Sequence, residues 1–571
     1  MMSMVKMLIQ RLCPCLPGAA GGAALLVFAL TLLLRLLWIP APSEPMLYDP
    51  DEAEMHEASL GPVLGTVPQR LIWPGGLMRH VALAHLGVSA LTQGVPRTPD
   101  GLAAHIGQVL LEPGQAWTWM RWVGAFISAL GFALPVWLGV RLGVPWVWAA
   151  ALALAAACFP LHWRHGCMAT SDGLAWGLVL AALTVARAGV LTLERILGSA
   201  LLAGLALGSK MTLLPMLPAL ALVAWNGRLP WLRWLLAWSC GLLLGALLAT
   251  PWFLADPVRL VKTMVGVVKF KPGESVGLAE TMRLLSLGIP VWLLAFGLAG
   301  MAVAFCRKQE RALAVGGALS VLWLIKTAAG SKQVVERYFP PLGMLLFFFG
   351  FLWLLPWLAV WLKGRQRHAV SAMLGLLTVV SLVQGWQAMS MEMAEMRARR
   401  EAHLQIRSLL DKAGVHRVAL DYTLFRCPLL RLADSGSFDR LAEHLELARV
   451  GHRGVEPMLA AFGMATRAVK ALGGLFDEVE VNQAARLRAL AVAARGTCQV
   501  GWFHDGNNPV YGRQWQQDRQ AVLAALAARE LDAAVFVGQR PPELPGYSIS
   551  TLPGKVPLHV VLALARPSMK P

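Results

Sequence analysis

A short acidic stretch, LYDPDEAEMHEASLG from Leu47 to Gly61, follows the first long apolar run of the 571-residue chain. Asp51 and Glu52 lie side by side within it. A carboxylate at the boundary between membrane and water can act as a general base, because low dielectric and neighbouring acids raise its pKa toward neutrality. Since adjacent residues point in different directions, we expect one of the two to face a reacting group and the other to pair with a cation. The stretch also fits a soluble loop or a helix start at Asp49.

Basic residues beside apolar segments form a second set of candidates. Lys210 lies in GSKMT, Arg337 in ERYFPPLGML and Arg164 in RHGCMATSDG. A cation so close to lipid needs a partner, and we expect an anion for Lys210 and Arg337. Asp172, near the end of RHGCMATSDG, is either the cap of the apolar helix that begins there or a residue of the reacting site.

Composition identifies the chain as an integral membrane protein. Hydrophobic residues make up 57% of it and charged residues 15%, which is too apolar for an ordinary soluble domain. Apolar length and interruptions by charge, Pro or Gly predict about eleven helical spans, with Lys210 at a turn between two short limbs. The predicted spans are 19–39, 118–140, 145–161, 173–189, 196–209, 212–225, 231–253, 285–305, 311–328, 338–361 and 369–389.

The distribution of basic residues predicts the orientation. With the amino terminus in the cytoplasm, every predicted cytoplasmic loop is short and basic, as the positive-inside rule requires. An odd number of crossings then places the tail outside, which in a bacterial inner membrane is the periplasm. Cys427 and Cys498 are able to form a disulfide there, although nothing in the sequence brings them together. The formal charge of +18 is largely accounted for by the cytoplasmic loops, so it does not indicate nucleic acid binding.

The chain from residue 390 onward has mixed polarity and no spanning stretch. Alternating patterns predict a small α/β domain there. The predicted strands are 415–422, 498–503, 533–537 and 557–565, with a helix at 515–532. We therefore predict two domains, a membrane module over 1–389 whose catalytic first outer loop is 40–117, and a soluble domain over 390–571. No nucleotide or hydrolase motif marks the second domain as a separate enzyme.

Five segments resemble, in order, the GT-C membrane glycosyltransferases, in particular the protein O-mannosyltransferases and lipid A aminoarabinose transferases. They are PDEAE (50–54), WTWMRWVGAFISALGFALPVWLGVRLG (117–143), RHGCMATSDGLAWG (164–177), GLALGSKMTLLPMLP (204–218) and ERYFPPLGML (336–345). The chain departs from the family at Met55 and His56, where an aromatic residue is common. The acceptor or metal contacts of one branch are therefore not carried over to His56.

The resemblance implies an all-α polytopic GT-C fold and an inverting transfer of sugar from a polyprenyl-phosphate-linked donor to a periplasmic acceptor. Asp51 would be the general base, with Glu52 beside it. Asp172 would orient the acceptor or a divalent cation. Lys210, Arg337 and Arg164 would bind the donor phosphate. The sugar remains open, as does the acceptor, which is a protein, a lipid or another glycan.

Two other classes of protein also fit an apolar bundle with charged outer loops. One is a transporter or flippase for a lipid-linked saccharide, and the other is a non-catalytic envelope assembly factor. Transporters commonly contain an internal repeat, and we find none in this sequence. An acidic first outer loop also favours the enzyme.

Overall fold

The computed structural model describes most of the chain outside the amino terminus, the acidic stretch and the middle of the tail. The described residues are 18–43, 46, 52, 55, 56, 59, 76–96, 101, 105, 106, 109, 113–225, 229–251, 276–330, 338–415, 417–421, 499–503, 514–552 and 557–564. The chain forms two compact units. The first comprises Met1–Ile39, Leu71–Val81 and Trp119–Met391, and the second comprises Pro40–Arg70, Ala82–Thr118 and Glu392–Pro571.

Helices dominate the chain up to residue 412. They are α1 (Ala19–Leu36), α2 (Gly76–Thr92), α3 (Gly114–Arg141), α4 (Trp146–Ala157), α5 (Pro160–Cys167), α6 (Ser171–Arg187), α7 (Leu193–Ser209), α8 (Leu217–Val223), α9 (Trp231–Ala249), α10 (Gly277–Gly288), α11 (Val291–Cys306), α12 (Arg311–Ala329), α13 (Pro340–Phe349), α14 (Leu355–Trp361) and α15 (Arg365–Lys412). A 3-10 helix, Met211–Met216, joins α7 to α8, and a π turn, Gly350–Leu354, joins α13 to α14.

Six helical stretches of the described chain are long and apolar enough to cross a membrane, or eight if each of two bent pairs counts as one span. The six are α1, α3, α9, α12, α13 with α14, and α15. The protein is therefore a multi-pass membrane protein with a mainly helical bundle. The expected number of eleven spans is not reached within the residues that the structure describes.

Prolines explain the two bent pairs. Helices α4 and α5 meet at 72°, and α10 and α11 meet at 98°. Pro160 is the first residue of α5, and Pro290 directly precedes α11. Proline has no N–H to continue a preceding helix and disfavours helical backbone in the residue before it, so each apolar run breaks there. The predicted spans 145–161 and 285–305 are thus divided.

Helix α15 is longer than its predicted span of 369–389. It continues for 48 residues to Lys412, so the predicted boundary at residue 390 falls inside a helix. No Pro or Gly occurs between Gly385 and Gly414 to end it. Gly414 has a positive φ of 59°, which is typical of the glycine that terminates a helix.

Glycines let α7 and α9 pack with their backbones close together. A Cβ atom at Gly204 would overlap the carbonyl oxygen of Leu242, and one at Gly245 would overlap that of Leu201. Small residues at this spacing are typical of helix pairs in membranes. The contact holds the end of α7, where Lys210 lies, in a defined position.

The tail contains a five-stranded sheet with strand order β2-β1-β3-β5-β4. The strands are β1 (Arg417–Asp421), β2 (Gln499–Phe503), β3 (Ala533–Val537), β4 (Tyr547–Leu552) and β5 (Leu558–Ala563), and α16 (Gln514–Ala527) precedes β3. Strand β1 runs parallel to β2 and β3, whereas β5 is antiparallel to β3 and β4. Ile406 and Leu410 of α15 pack against Val418, Val535 and Val560. The predicted α/β domain is confirmed, and β4 is a strand that the prediction missed.

Candidate active site

Asp172 lies in the first turn of α6 and is 3% exposed. Thr170, with extended backbone, occupies the N-cap position, and its hydroxyl donates to Oδ2 of Asp172 over 3.4 Å. A carboxylate in this turn is stabilised by the partial positive charge of the helix N-terminus. Gly173 allows α5 to come close, since a Cβ there would overlap the carbonyl oxygen of His165. The N-cap residue Thr170 makes no capping hydrogen bond with its side chain, and the Asp172 carboxylate makes its main contact outside its own helix.

Lys210 is the main partner that the structure places against Asp172. It leaves the helical conformation directly after α7, with φ of −150° and ψ of 107°. Its Nζ donates to Oδ1 of Asp172, and Lys210 is itself only 5% exposed. His165 lies alongside, with Nδ1 3.9 Å from Oδ2 of Asp172. Two residues predicted for separate tasks therefore form one buried ion pair.

Arg164, a third predicted residue, lies in the last turn of α5 and is half-buried. A cation in the last turn of a helix is stabilised by the partial negative charge of the free carbonyl groups. Its neighbour His165 contacts the Lys210–Asp172 pair. The segment RHGCMATSDG therefore contributes Arg164, His165 and Asp172 to the candidate site.

The acidic stretch is described only at Glu52, Met55, His56 and Ser59. Glu52 belongs to the second unit and is fully buried. Asp51 and Arg337 lie outside the described residues, as do Cys427 and Cys498. The roles predicted for Asp51, Glu52 and Arg337 stay predictions.

Buried histidines are a feature of this region that the sequence did not indicate. His56 is 1% exposed, and burial lowers its pKa to about 3, with a smaller contribution from His85. Burial also lowers the pKa of His85, and the nearby His105 adds to the effect. Nε2 of His105 lies 2.9 Å from the hydroxyl of Ser89. His56 is therefore neutral at pH 7.

The described part of the chain contains no set of ligands for a divalent cation. No group of three or more His, Cys, Asp or Glu side chains there could hold a metal ion. At Asp172 the ammonium of Lys210 already occupies the position next to Oδ1. A cation bound to that carboxylate would be repelled by the lysine.

The chain is similar in fold to two solved structures. These are crystal structures of ArnT from Cupriavidus metallidurans, one in the apo state with 13% identity and a TM-score of 0.46, and one bound to undecaprenyl phosphate with 14% identity and a TM-score of 0.45. Each alignment covers 95% of this chain and 98% of the other. The sequence matches no protein-family model and no curated protein.

Arg35 is a buried charge that the sequence analysis did not select. It lies in the last turn of α1 and is 1% exposed. Its guanidinium carbon lies 5.6 Å from the ring centre of Phe132, and Gly166 of α5 packs against its Nε. A single arginine within an otherwise apolar span is the signal by which the sequence could have indicated it.

Proposed function

We propose that the protein is a glycosyltransferase of the bacterial inner membrane that moves a sugar from a polyprenyl-phosphate donor to an acceptor hydroxyl in the periplasm. The observation that supports this best is the buried Lys210–Asp172 pair, which joins two of the segments that resemble GT-C enzymes. A helical membrane bundle also suits the donor. Its apolar tail is stable among apolar helices, whereas its phosphate needs nearby cations.

The proposed reaction is a single in-line displacement with inversion at the anomeric carbon. Asp51 accepts the proton of the acceptor hydroxyl while the hydroxyl oxygen forms a bond to that carbon. The bond between the anomeric carbon and the phosphate oxygen breaks, and the phosphate leaves with the electron pair. Glu52 orients the acceptor. One base and one good leaving group are sufficient, so the paired carboxylates of retaining hydrolases are not required.

The cations Lys210, Arg164 and Arg337 are proposed to stabilise the leaving phosphate. Arginine can bind two phosphate oxygens at once, whereas lysine supplies a point charge. Asp172 holds the ammonium of Lys210 at the end of α7, so its role in this scheme is to position the lysine rather than to bind a metal. Because the pair is neutral as a whole, Lys210 attracts a phosphate less strongly than an unpaired lysine would.

The alternative of a transporter or flippase for a lipid-linked saccharide draws support from the same ion pair. Buried charged pairs within membrane bundles often lie on transport pathways. The two functions differ in outcome, since a flippase moves the lipid-linked sugar across the membrane intact and a transferase cleaves the sugar from its phosphate. An assay that follows the sugar–phosphate bond therefore separates them.

The decisive experiment uses the full-length protein in nanodiscs with lipid extract that contains radiolabelled polyprenyl-phosphate sugars. We expect release of polyprenyl phosphate by the wild type and a loss of at least about 100-fold in Asp51→Asn, with lipid binding retained. Asp49→Asn is the matched control, because it removes the same charge two residues away and should retain activity. Equal rates for D51N and the wild type would refute the assignment of the base. Mass spectrometry of glycans and lipids missing from a deletion strain would identify the acceptor and the sugar.

A further inference from the structure

Arg35 is a buried guanidinium without a hydrogen-bond partner among the residues that the structure describes. This holds for all three of its nitrogens, Nε, Nη1 and Nη2. The surrounding groups are apolar or weakly polar. Phe132 lies beneath the guanidinium, Gly166 packs against it, and the thiol of Cys167 donates to the backbone carbonyl of Arg35 over 3.5 Å.

Such an arrangement is unfavourable unless an anion binds there. Removing a guanidinium from water costs more than one cation–π contact returns. The partial negative charge at the end of α1 compensates only in part. A side chain that served packing alone would be better replaced by an apolar residue of similar size.

The bundle is shaped to accommodate Arg35. A Cβ at position 166 would overlap Nε of Arg35, so the guanidinium occupies space that the glycine leaves open in this conformation. On its other side the same glycine is close to α6, because a Cβ at Gly173 would lie 3.0 Å from the Cα of Gly166. Helix α5 thus contacts Arg35 through Gly166 and the Lys210–Asp172 pair through His165.

Charge balance distinguishes Arg35 from Lys210. Lys210 has its counter-charge in Asp172. The described residues provide no carboxylate within salt-bridge distance of Arg35. An anion that enters this part of the bundle is therefore attracted more strongly to Arg35 than to Lys210.

We propose that Arg35 binds the phosphate of the polyprenyl-phosphate donor and of the leaving lipid. This inference rests on the proposed function and adds to it a residue at the outer end of α1. A guanidinium binds two phosphate oxygens in a fixed geometry, and the contact is strengthened by the low dielectric around it. Lys210, which is already paired with Asp172, then adds a weaker attraction.

Arg35→Met in the full-length protein tests the proposal, with undecaprenyl phosphate, neutral undecaprenol and inorganic phosphate as separate probes in detergent micelles. We expect the Kd for undecaprenyl phosphate to rise about 10- to 100-fold and binding of undecaprenol to stay unchanged. Without any probe, the Tm of R35M should equal or exceed that of the wild type, because the substitution removes an unpaired buried charge.

Arg141→Met is the matched control. Arg141 also lies in the last turn of an apolar helix and over an aromatic ring, with its guanidinium carbon 5.0 Å from the ring centre of Trp137, but it is exposed. The R141M protein should bind undecaprenyl phosphate with the same Kd as the wild type. Arg35→Lys keeps the charge but cannot bind two phosphate oxygens at once, so we expect a Kd between those of the wild type and R35M. If R35M does not fold, the Kd of R35K tests the proposal.

Three results would overturn the proposal. A lower Tm of R35M without any probe would mean that Arg35 has a structural partner such as a carboxylate of the acidic stretch. An unchanged Kd in R35M and R35K would mean that the phosphate binds elsewhere. Stabilisation by inorganic phosphate alone would assign the site to a free anion. If the wild type itself fails to bind undecaprenyl phosphate, the proposed function fails, whereas binding that is equal in wild type and R35M refutes only the role of Arg35.

Discussion

The buried pair of Lys210 and Asp172 leads to a quantitative prediction about stability. Removing one partner leaves the other charge uncompensated in the bundle, which typically costs about 3–5 kcal/mol. We therefore expect Lys210→Met and Asp172→Asn each to lower the free energy of unfolding by about that amount. The double variant should lose much less than the sum of the two, because it removes both charges together, and the coupling energy should exceed about 2 kcal/mol.

The half-buried pair of Arg187 and Glu310 supplies the control. Its side chains are 27% and 18% exposed, against 6% and 4% for Lys210 and Asp172. Water screens the control pair, so the same cycle with Arg187→Met and Glu310→Gln should give a coupling of about 1 kcal/mol or less. Both cycles can be measured by unfolding in mixed SDS micelles, with helix content followed by circular dichroism.

If K210M and D172N are additive, or if each costs no more than about 1 kcal/mol, the two side chains do not compensate each other in the protein. Asp172 would then not compensate the charge of Lys210, and Arg35 would not attract phosphate more strongly than Lys210 does.

Two further predictions concern helix packing and pH. Gly245→Ala in α9 should lower the free energy of unfolding by about 1–3 kcal/mol, because its Cβ would overlap the carbonyl oxygen of Leu201; Gly375→Ala in α15, where nothing lies within 4 Å of the added atom, should leave thermal stability equal or higher. His56 has a pKa lowered to about 3 in the folded protein, so the unfolded chain takes up its proton first as the pH falls below about 6.5, and stability is lost on acidification. Between pH 7.5 and 5.5 this costs about 1.4 kcal/mol, which His56→Gln should remove, giving a smaller drop in Tm over that interval. A drop in Tm equal to that of the wild type would show that other groups cause the acid sensitivity.

Much of the fold could be predicted because its signals are local. Apolar length indicates a membrane helix, and the break at Lys210 follows from the short limbs on either side of it. The strands of the tail follow from alternation within a few residues. The membrane span predicted to end at residue 389 and the helical pattern predicted from Glu395 onward are continuous in the structure. No Pro or Gly separates them, so they form one helix that ends at Lys412.

The candidate site was predicted less completely, because its contacts join distant parts of the chain. Asp172 and Lys210 are 38 residues apart, and the sequence selected both without indicating that they form a pair. For Asp172 it left open a cap or a reacting group, and the structure assigns the carboxylate to Lys210. Arg35 is visible in the sequence as a charge in an apolar run, but its burial beside Gly166 is not.

The sequence by itself determined that the chain lies in a membrane and which charged residues lie beside apolar segments, since both depend on the free energy of transferring a short segment out of water. Only the tertiary structure decided which charges compensate each other. That outcome depends on how closely α5 approaches α6 and how closely α7 approaches α9, and these approaches are set by glycines such as Gly173 and Gly204, where a methyl group would overlap the neighbouring backbone.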